Sequence, residues 1–355
     1  MPAYPTIDAD GHVMEPEDIW IPRLPPEFHA AAPRRVIDNR GRLRQFVGGE
    51  LKEYIPMPER GFAPIPGGFD SKARLADMDG QGVESSVLFP TTGLFFGGLS
   101  NVDVQVALCR AYNDWVHEFC SADPARLRAA AVVPQLDVNE MVREAERAVR
   151  ELGFCAVMLR PNQIQGRNLD DPWYDSLWEA LVRLDVPAAF HEGTTQDLPQ
   201  SGDRRFENFM FRHVCTHPHE QQMAVMELTC GGVLDRHPEL RAIFLESGCG
   251  WIAHWLHRLD EHVEAWGFAS LAPERKPSDA FKAQCFISAD PNETILPGIV
   301  QAIGDESIVF ATDYPHPDAL EGDLVAQIAD RETLSEQNIR RILHDNAVRC
   351  FGPAR

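Results

Sequence analysis

Four residues that could share one ion stand where extended segments end. Asp10 and His12 close the apolar run 6–12, His191 closes 186–191, and Asp313 closes 308–313. Alternate residues of a strand point to the same side, so Asp10-x-His12 can present an oxygen and an imidazole together. Two imidazoles and two carboxylates suit a borderline or hard divalent cation such as zinc, manganese or iron(II), and the carboxylates offset its charge. Taken singly, each residue also reads as a satisfied polar group capping the next helix. A third carboxylate, Glu246, closes the run 241–246. It can serve as a general acid or base, as a further ligand, or as the cap of the helical stretch 250–266.

Other groups able to move protons or bind substrate cluster after the same segments. His213, His217 and His219 follow the run ending at His191, and any of them could supply a base near neutral pH. His217 and His219 are the preferred pair, set against a solvated loop whose histidines cap a helix. His316 lies three residues after Asp313 and is placed to touch substrate. Arg160, ending the run 155–161, can pair with a substrate carboxylate or form a salt bridge within the protein. Cys249 has no specified histidine partner, so a thiol nucleophile is a minor reading. No Gly-x-Ser-x-Gly elbow and no phosphate-binding loop is present.

The elements that must hold these residues form a regular series. Apolar runs at 6–12, 85–90, 127–134, 155–161, 186–191, 241–246, 281–289 and 308–313 alternate with amphipathic stretches. Their near-continuous apolar character marks strands buried on both faces, as in parallel sheets. Val138, Met141, Val142, Ala145, Val149 and Leu152 trace one helical face, with Asp137 placed to cap it. Eight strands alternating with helices predict an α/β protein, a (β/α)8 (TIM) barrel, and in such barrels chemistry gathers at the C-terminal ends of the strands. An open doubly wound sheet is the alternative, but no Gly-x-Gly-x-x-Gly follows the first strand. Segment 13–70 breaks the alternation. It is Pro- and Gly-rich and contains a hairpin pattern around Gly48-Gly49, so it reads as a lid inserted after strand 1 of one domain spanning 1–355. A second long loop is expected at 194–214, and a last helix at 335–351.

The chain has 355 residues and a net charge of −21. That charge repels nucleic acid phosphates and anionic membranes, which excludes both as expected partners and leaves a small-molecule substrate. The eight cysteines show no Cys-x-x-Cys spacing and read as reduced, buried thiols. No signal-peptide pattern and no apolar run of the roughly 18 residues needed to span a bilayer is visible, so a soluble, cytoplasmic protein is expected.

The segments IDADGH, FHEG, FLESGCGW and ATDYPHPD, in this order and spacing, resemble the metal-dependent amidohydrolase-related (amidohydrolase 2) family, and its aminocarboxymuconate-semialdehyde decarboxylase-like branch. The resemblance covers nearly the whole chain. It implies a (β/α)8 barrel, one divalent ion, with zinc ahead of manganese or iron, and a homodimer or higher homo-oligomer. It implies decarboxylation of a small hydroxylated aromatic or unsaturated acid. Hydrolysis of a C–C, amide or ester/lactone bond is the alternative, and a barrel that only binds a ligand is the third. His12 and His191 match the family's strand-1 and strand-5 ligands, and Asp313 matches the strand-8 aspartate that binds metal and exchanges a proton. Two positions depart from the pattern. Asp10 stands where the family usually has His and sometimes Glu, and Glu246 stands where it usually has the strand-6 His.

Overall fold

The structure is a computed structural model, and it describes residues 5–56, 65–195, 197–267, 273–317 and 319–353. Eight parallel strands form one sheet: β1 (Ile7–His12), β5 (Ser85–Phe89), β6 (Leu127–Val132), β7 (Ala156–Leu159), β8 (Ala188–Phe190), β9 (Ala242–Phe244), β10 (Cys285–Ala289) and β11 (Ile308–Phe310), in that order around the ring. Every residue of these strands is buried. Just past β11 the ring closes on β1, where His12 N donates to Tyr314 O (2.7 Å) and Asp313 N to Asp10 O (2.9 Å). The expected barrel is the observed one.

The seam is pinned from beneath by Asp8. Its buried carboxylate accepts from Thr312 N (3.0 Å), Thr312 Oγ1 (2.9 Å) and Ser86 Oγ (2.8 Å), with the Arg74 guanidinium at 3.9 Å. Gly11 is required here, because a Cβ would lie 2.3 Å from Arg74 Nη2 and 2.5 Å from Ser86 Oγ.

Helices cover the ring. Helix α1 (Ser71–Gln81) starts at Asp70, whose carboxylate accepts from Lys72 N and Ala73 N, and it stops at Gly82 in the left-handed conformation. Helix α2 (Val102–Cys120) is followed by α3 (Val138–Arg150), capped as expected by Asp137, which accepts from Asn139 N (2.8 Å) and Glu140 N (3.1 Å). Then come α4 (Asp175–Leu184), α5 (Phe209–Cys230), α6 (Val233–Arg236), α7 (Ile252–Trp266), α8 (Pro277–Gln284), α9 (Leu296–Ile303) and α10 (Leu324–Ala329). The last helical stretch is a rod of α11 (Glu336–Arg340), a π-helical turn (Arg341–Asp345) and α12 (Asn346–Phe351), entered through Ser335 as cap.

Two expectations need correction. The run 281–289 is not all strand, because 281–284 completes α8 and only Cys285–Ala289 pairs in the sheet. The histidine run 213–219 is not a loop, because α5 begins at Phe209 and passes through Pro218. Pro218 removes one helical hydrogen bond, but the carbonyl it would have served belongs to Val214, a residue well exposed to water.

Segment 13–70 carries a small antiparallel sheet of β2 (Arg34–Ile37), β3 (Leu43–Val47) and β4 (Glu50–Leu51). The hairpin turn falls at Gly48 and Gly49, both at positive φ (67° and 92°). Ile19, Trp20, Leu24 and Val47 are buried in the same apolar cluster as the barrel strands. Lys52, fully buried, pairs with Glu50 (3.0 Å) and with Asp197 (2.9 Å) in the loop after β8. Glu53 pairs with Arg212 of α5 through both guanidinium Nη atoms. The insertion is thus tied by charge to the same elements that follow His191.

Candidate active site

The five strand-end residues converge. His12 is the last residue of β1, and His191, Glu246 and Asp313 lie one, two and three residues past β8, β9 and β11. Glu246 and Asp313 both hold left-handed backbone (φ 52° and 55°), a conformation that costs a non-glycine residue about 1–3 kcal/mol and clusters at functional sites.

The tautomers of the two histidines are fixed by their partners. His12 Nδ1 lies 2.9 Å from Pro90 O and His191 Nδ1 lies 2.8 Å from Glu192 O. A carbonyl only accepts, so both Nδ1 atoms carry the proton and both Nε2 lone pairs face inward. These Nε2 atoms are 3.0 Å apart. Two facing lone pairs repel unless a proton or a cation lies between them. Around them stand Asp10 Oδ1 (3.6 Å from His12, 3.3 Å from His191), Asp313 Oδ1 (3.3 Å from His12) and Glu246 Oε2 (3.3 Å from His191). Each of these three buried oxygens lacks a well-directed hydrogen bond. Asp10, His12 and His191 form one cluster of ligand atoms that could hold a divalent cation, and His12, Glu246, Asp313 and His316 form another that shares His12 with it. The residues therefore form a possible metal site.

Electrostatics agree. Burial works against charge on His191, but Asp10 and Glu246 outweigh it and hold its pKa up at about 9. The carboxylates that favour a proton there also favour a cation. Burial, with His316 and His191 adding repulsion, pushes His12 well below its usual value.

Asp313 has a second partner. His316 Nδ1 lies 2.8 Å from Asp313 Oδ1, too far off axis to satisfy that oxygen fully, and its ring stacks on His12 with centroids 3.8 Å apart. His316 Nε2 lies 2.9 Å from Thr91 Oγ1, which itself donates to Val13 O (2.8 Å). A hydroxyl has one proton to give, so Thr91 must accept from His316 Nε2–H. Nδ1 is then the ring nitrogen that faces the Asp313 oxygen, where a proton held by either group would relieve the repulsion of two bare lone pairs. Burial raises Asp313 to about 7, with Glu246 and Asp10 adding to the rise against the pull of His316.

Glu246 faces two imidazoles, with Oε1 3.5 Å from His217 Nε2. Burial opposes its charge, but His191 and His217 hold its carboxyl well below the usual range. The helix-cap alternative for Glu246 is filled by Glu293, whose carboxylate accepts from Cys249 N (3.0 Å) and Gly250 N (2.9 Å) ahead of α7. Glu246 is thereby left to the centre.

The remaining expected residues divide. His217 and His316 are at the centre. His219 is not, because on a helix it lies two residues past His217 and points to solvent. Arg160 reaches the mouth, but its guanidinium is buried and engaged by Glu192, by Gly193 O (2.6 Å), by Leu94 O (2.8 Å) and by Asn162 Oδ1 (3.1 Å). Of its two readings, the internal salt bridge is the one the geometry shows. Burial and nearby Glu293 push the Cys249 thiol far up, which disfavours a thiolate.

His213, expected as one of three alternative bases, is one turn before His217, with ring centroids 4.2 Å apart, a pairing that the i, i+4 spacing shows once the segment is read as helix. Sequence reasoning passed over two residues. Thr91 fixes the His316 tautomer, and nothing in its local sequence marks it. Asp290, just past β10, is raised to about 6 by burial and by Glu293, and its place after a barrel strand was the available signal.

The family model described as Amidohydrolase matches residues 7–352. The chain is 27% identical over 319 residues to gamma-resorcylate decarboxylase of Polaromonas sp. (strain JS666 / ATCC BAA-500), covering 84% of this chain and 95% of that protein. Its fold resembles the crystal structure of an amidohydrolase from Mycobacterium avium subsp. paratuberculosis K-10, with a TM-score of 0.82, 24% identity, and 99% and 100% of the two chains covered. A dihydroxybenzoic acid decarboxylase from Polaromonas sp. JS666, solved with bound manganese and the inhibitor 2-nitroresorcinol, superposes with a TM-score of 0.71 at 21% identity over 98% of this chain and 96% of that one. With the family match running almost from end to end of the barrel that carries these strand-end residues, the chain belongs to the amidohydrolase family.

Proposed function

We propose that this protein is a metal-dependent carboxy-lyase that removes CO2 from a small hydroxylated aromatic or unsaturated acid. Asp10, His12, His191 and Asp313 would hold the divalent ion, with Glu246 beside them. Zinc is the first candidate, ahead of manganese and iron. When bound, the ion would neutralise substrate oxygens and stabilise negative charge there. The observation that carries the reading is the contact of His316 Nδ1 with Asp313 Oδ1 (2.8 Å) beside the converging imidazoles, with His316 Nε2 held 2.9 Å from Thr91 Oγ1, which makes the pair the proton donor of this reading. Similarity to decarboxylases over most of the chain supports it.

In this reading the pair delivers its proton to the ring carbon that bears the carboxylate. The carbon–carboxylate bond then breaks, its electron pair returns to the ring, and CO2 leaves. Water reprotonates the pair. Glu246, kept ionised by His191 and His217, accepts a hydrogen bond from the substrate hydroxyl and sets its orientation. The insertion 13–70 acts as a lid of a single-domain enzyme, placing Ile55 and Pro56 over the cavity. A homodimer in the cytoplasm completes the proposal.

The test is a screen of metal-loaded protein, with hydroxybenzoates assayed for CO2 release beside amides, lactones and vinylogous ketones assayed for hydrolysis. CO2 release is expected. Hydrolysis alone would replace the decarboxylase reading with the hydrolase one. Elemental analysis should find about one divalent ion per chain, the number expected of a mononuclear site. His191→Ala should lose that ion, and full metal retention would remove His191 from the ligand set.

A further inference from the structure

The cavity above the site measures about 770 Å³. Small-molecule cavities run from about 300 to 1,000 Å³, so this one is roomy for a single-ring acid. Its polar groups lie on the floor, where Glu246, His217, His316 and Thr91 face the centre. The walls and mouth are mainly apolar, with Thr194, Asn208 and His213 as polar exceptions. Leu94 and Phe95 come from the turn after β5, Ile55 from the insertion, and Phe209, Met210 and Val214 from the first turns of α5. Met210 is 57% exposed and Val214 63%, so folding leaves an apolar rim in water.

Charge sets a second limit. Arg160 is the only lysine or arginine among the described lining residues. It is 1% exposed, and its donors go to Glu192 and to the carbonyls of Leu94 and Gly193. Burying a carboxylate against the apolar wall would cost its hydration, with no free lysine or arginine among the described lining residues to offset it.

We propose that the substrate is a hydroxylated aromatic monocarboxylate bearing an apolar body, a fused second ring or an aryl or alkyl substituent, which the wall of Ile55, Phe95, Phe209, Met210 and Val214 covers. The inference rests on the carboxy-lyase reading for the end of the substrate that meets the floor. A second carboxylate on the far end is selected against.

Calorimetry on the metal-loaded protein tests this with salicylate, a hydroxynaphthoate, a phenyl-substituted salicylate, and the analogue carrying a carboxylate in place of the phenyl group. The two apolar-extended acids should bind at least about tenfold more tightly than salicylate, through burial of added apolar area. The dicarboxylate should bind no more tightly than salicylate. Met210→Glu and Val214→Glu place a charge on exposed rim positions, where the fold tolerates it, and should erase most of the preference. Equal affinities across the panel, or tightest binding of the dicarboxylate, would overturn the inference. CO2 release measured on the same panel separates the two readings. A binding preference without CO2 release from any acid overturns the carboxy-lyase reading and leaves the cavity assignment standing. CO2 release from salicylate with equal affinities overturns the cavity assignment alone.

Discussion

Glu246 occupies the position where the family resemblance leads one to expect an imidazole, yet the imidazole is still close by. His217 enters from α5 and stands 3.5 Å from the Glu246 carboxylate, so a carboxylate–imidazole pair replaces a single histidine. Glu246→Gln keeps the size and the hydrogen bonding but removes the charge. We expect metal to be retained and turnover to fall about a hundredfold, the scale of a lost hydrogen bond to a charged group. Unchanged turnover would remove Glu246 from the orientation of the substrate. As a control on the helical geometry, His219→Ala should leave turnover within about twofold, since exposed positions away from the site cost little. At this scale the sequence was informative where side-chain type and strand position sufficed. Asp10, His12, His191 and Asp313 were legible because each closes an apolar run. The pairing of His213 with His217 and the role of Thr91 were not, because they depend on which way a helix turns and on where one hydroxyl proton goes.

Helix caps show how element boundaries can be read, and where they cannot. Asp137 was recognisable because an acid stands just before an apolar stripe of helical period, and its carboxylate does hold Asn139 N and Glu140 N. Asp137→Ala should cost about 1 kcal/mol of stability. Thermal unfolding should register that loss while metal content stays the same. The start of α5 was hidden for the opposite reason. Pro218 reads as a helix breaker, but the lost bond falls on the solvent side of the helix, at exposed Val214, so the helix continues. The eight barrel strands were legible as apolar runs, whereas the end of α8 was absorbed into the nine-residue apolar stretch 281–289 that leads into β10. Periodicity alone does not separate a buried helical turn from a buried strand.

Across the whole molecule, buried acids make stability depend on pH. Burial, with Glu192 adding repulsion, raises Glu220 from 4.5 to about 7. The folded chain therefore binds this proton more tightly than the unfolded chain. Its contribution is fully present below about pH 4.5 and is lost as the pH rises through about 7. Glu220→Gln should flatten that fall, so that well above pH 7 the variant exceeds the parent by up to roughly 3.5 kcal/mol, the rise from 4.5 to about 7 taken at roughly 1.4 kcal/mol per pKa unit. Denaturant titrations at pH 5 and pH 8 check the sign, and a gain at pH 5 instead would reverse it. A different consequence follows from the closure of the ring. Asp313 N reaches Asp10 O, and His12 N reaches Tyr314 O, so three of the residues at the possible metal site, Asp10, His12 and Asp313, come from the first and last strands of the barrel. An ion bound there acts as a clasp between the first strand and the last. Chelation should lower the melting temperature by several degrees at saturating ion, by mass action, and should speed hydrogen exchange at the amides of His12 and Asp313 before those of β7. The order of synthesis then matters. A chain emerging from the ribosome offers Asp10 and His12 early but has no Asp313 until some three hundred residues later, so the clasp fastens only once the last barrel strand has been made, and loading reports that the barrel has shut.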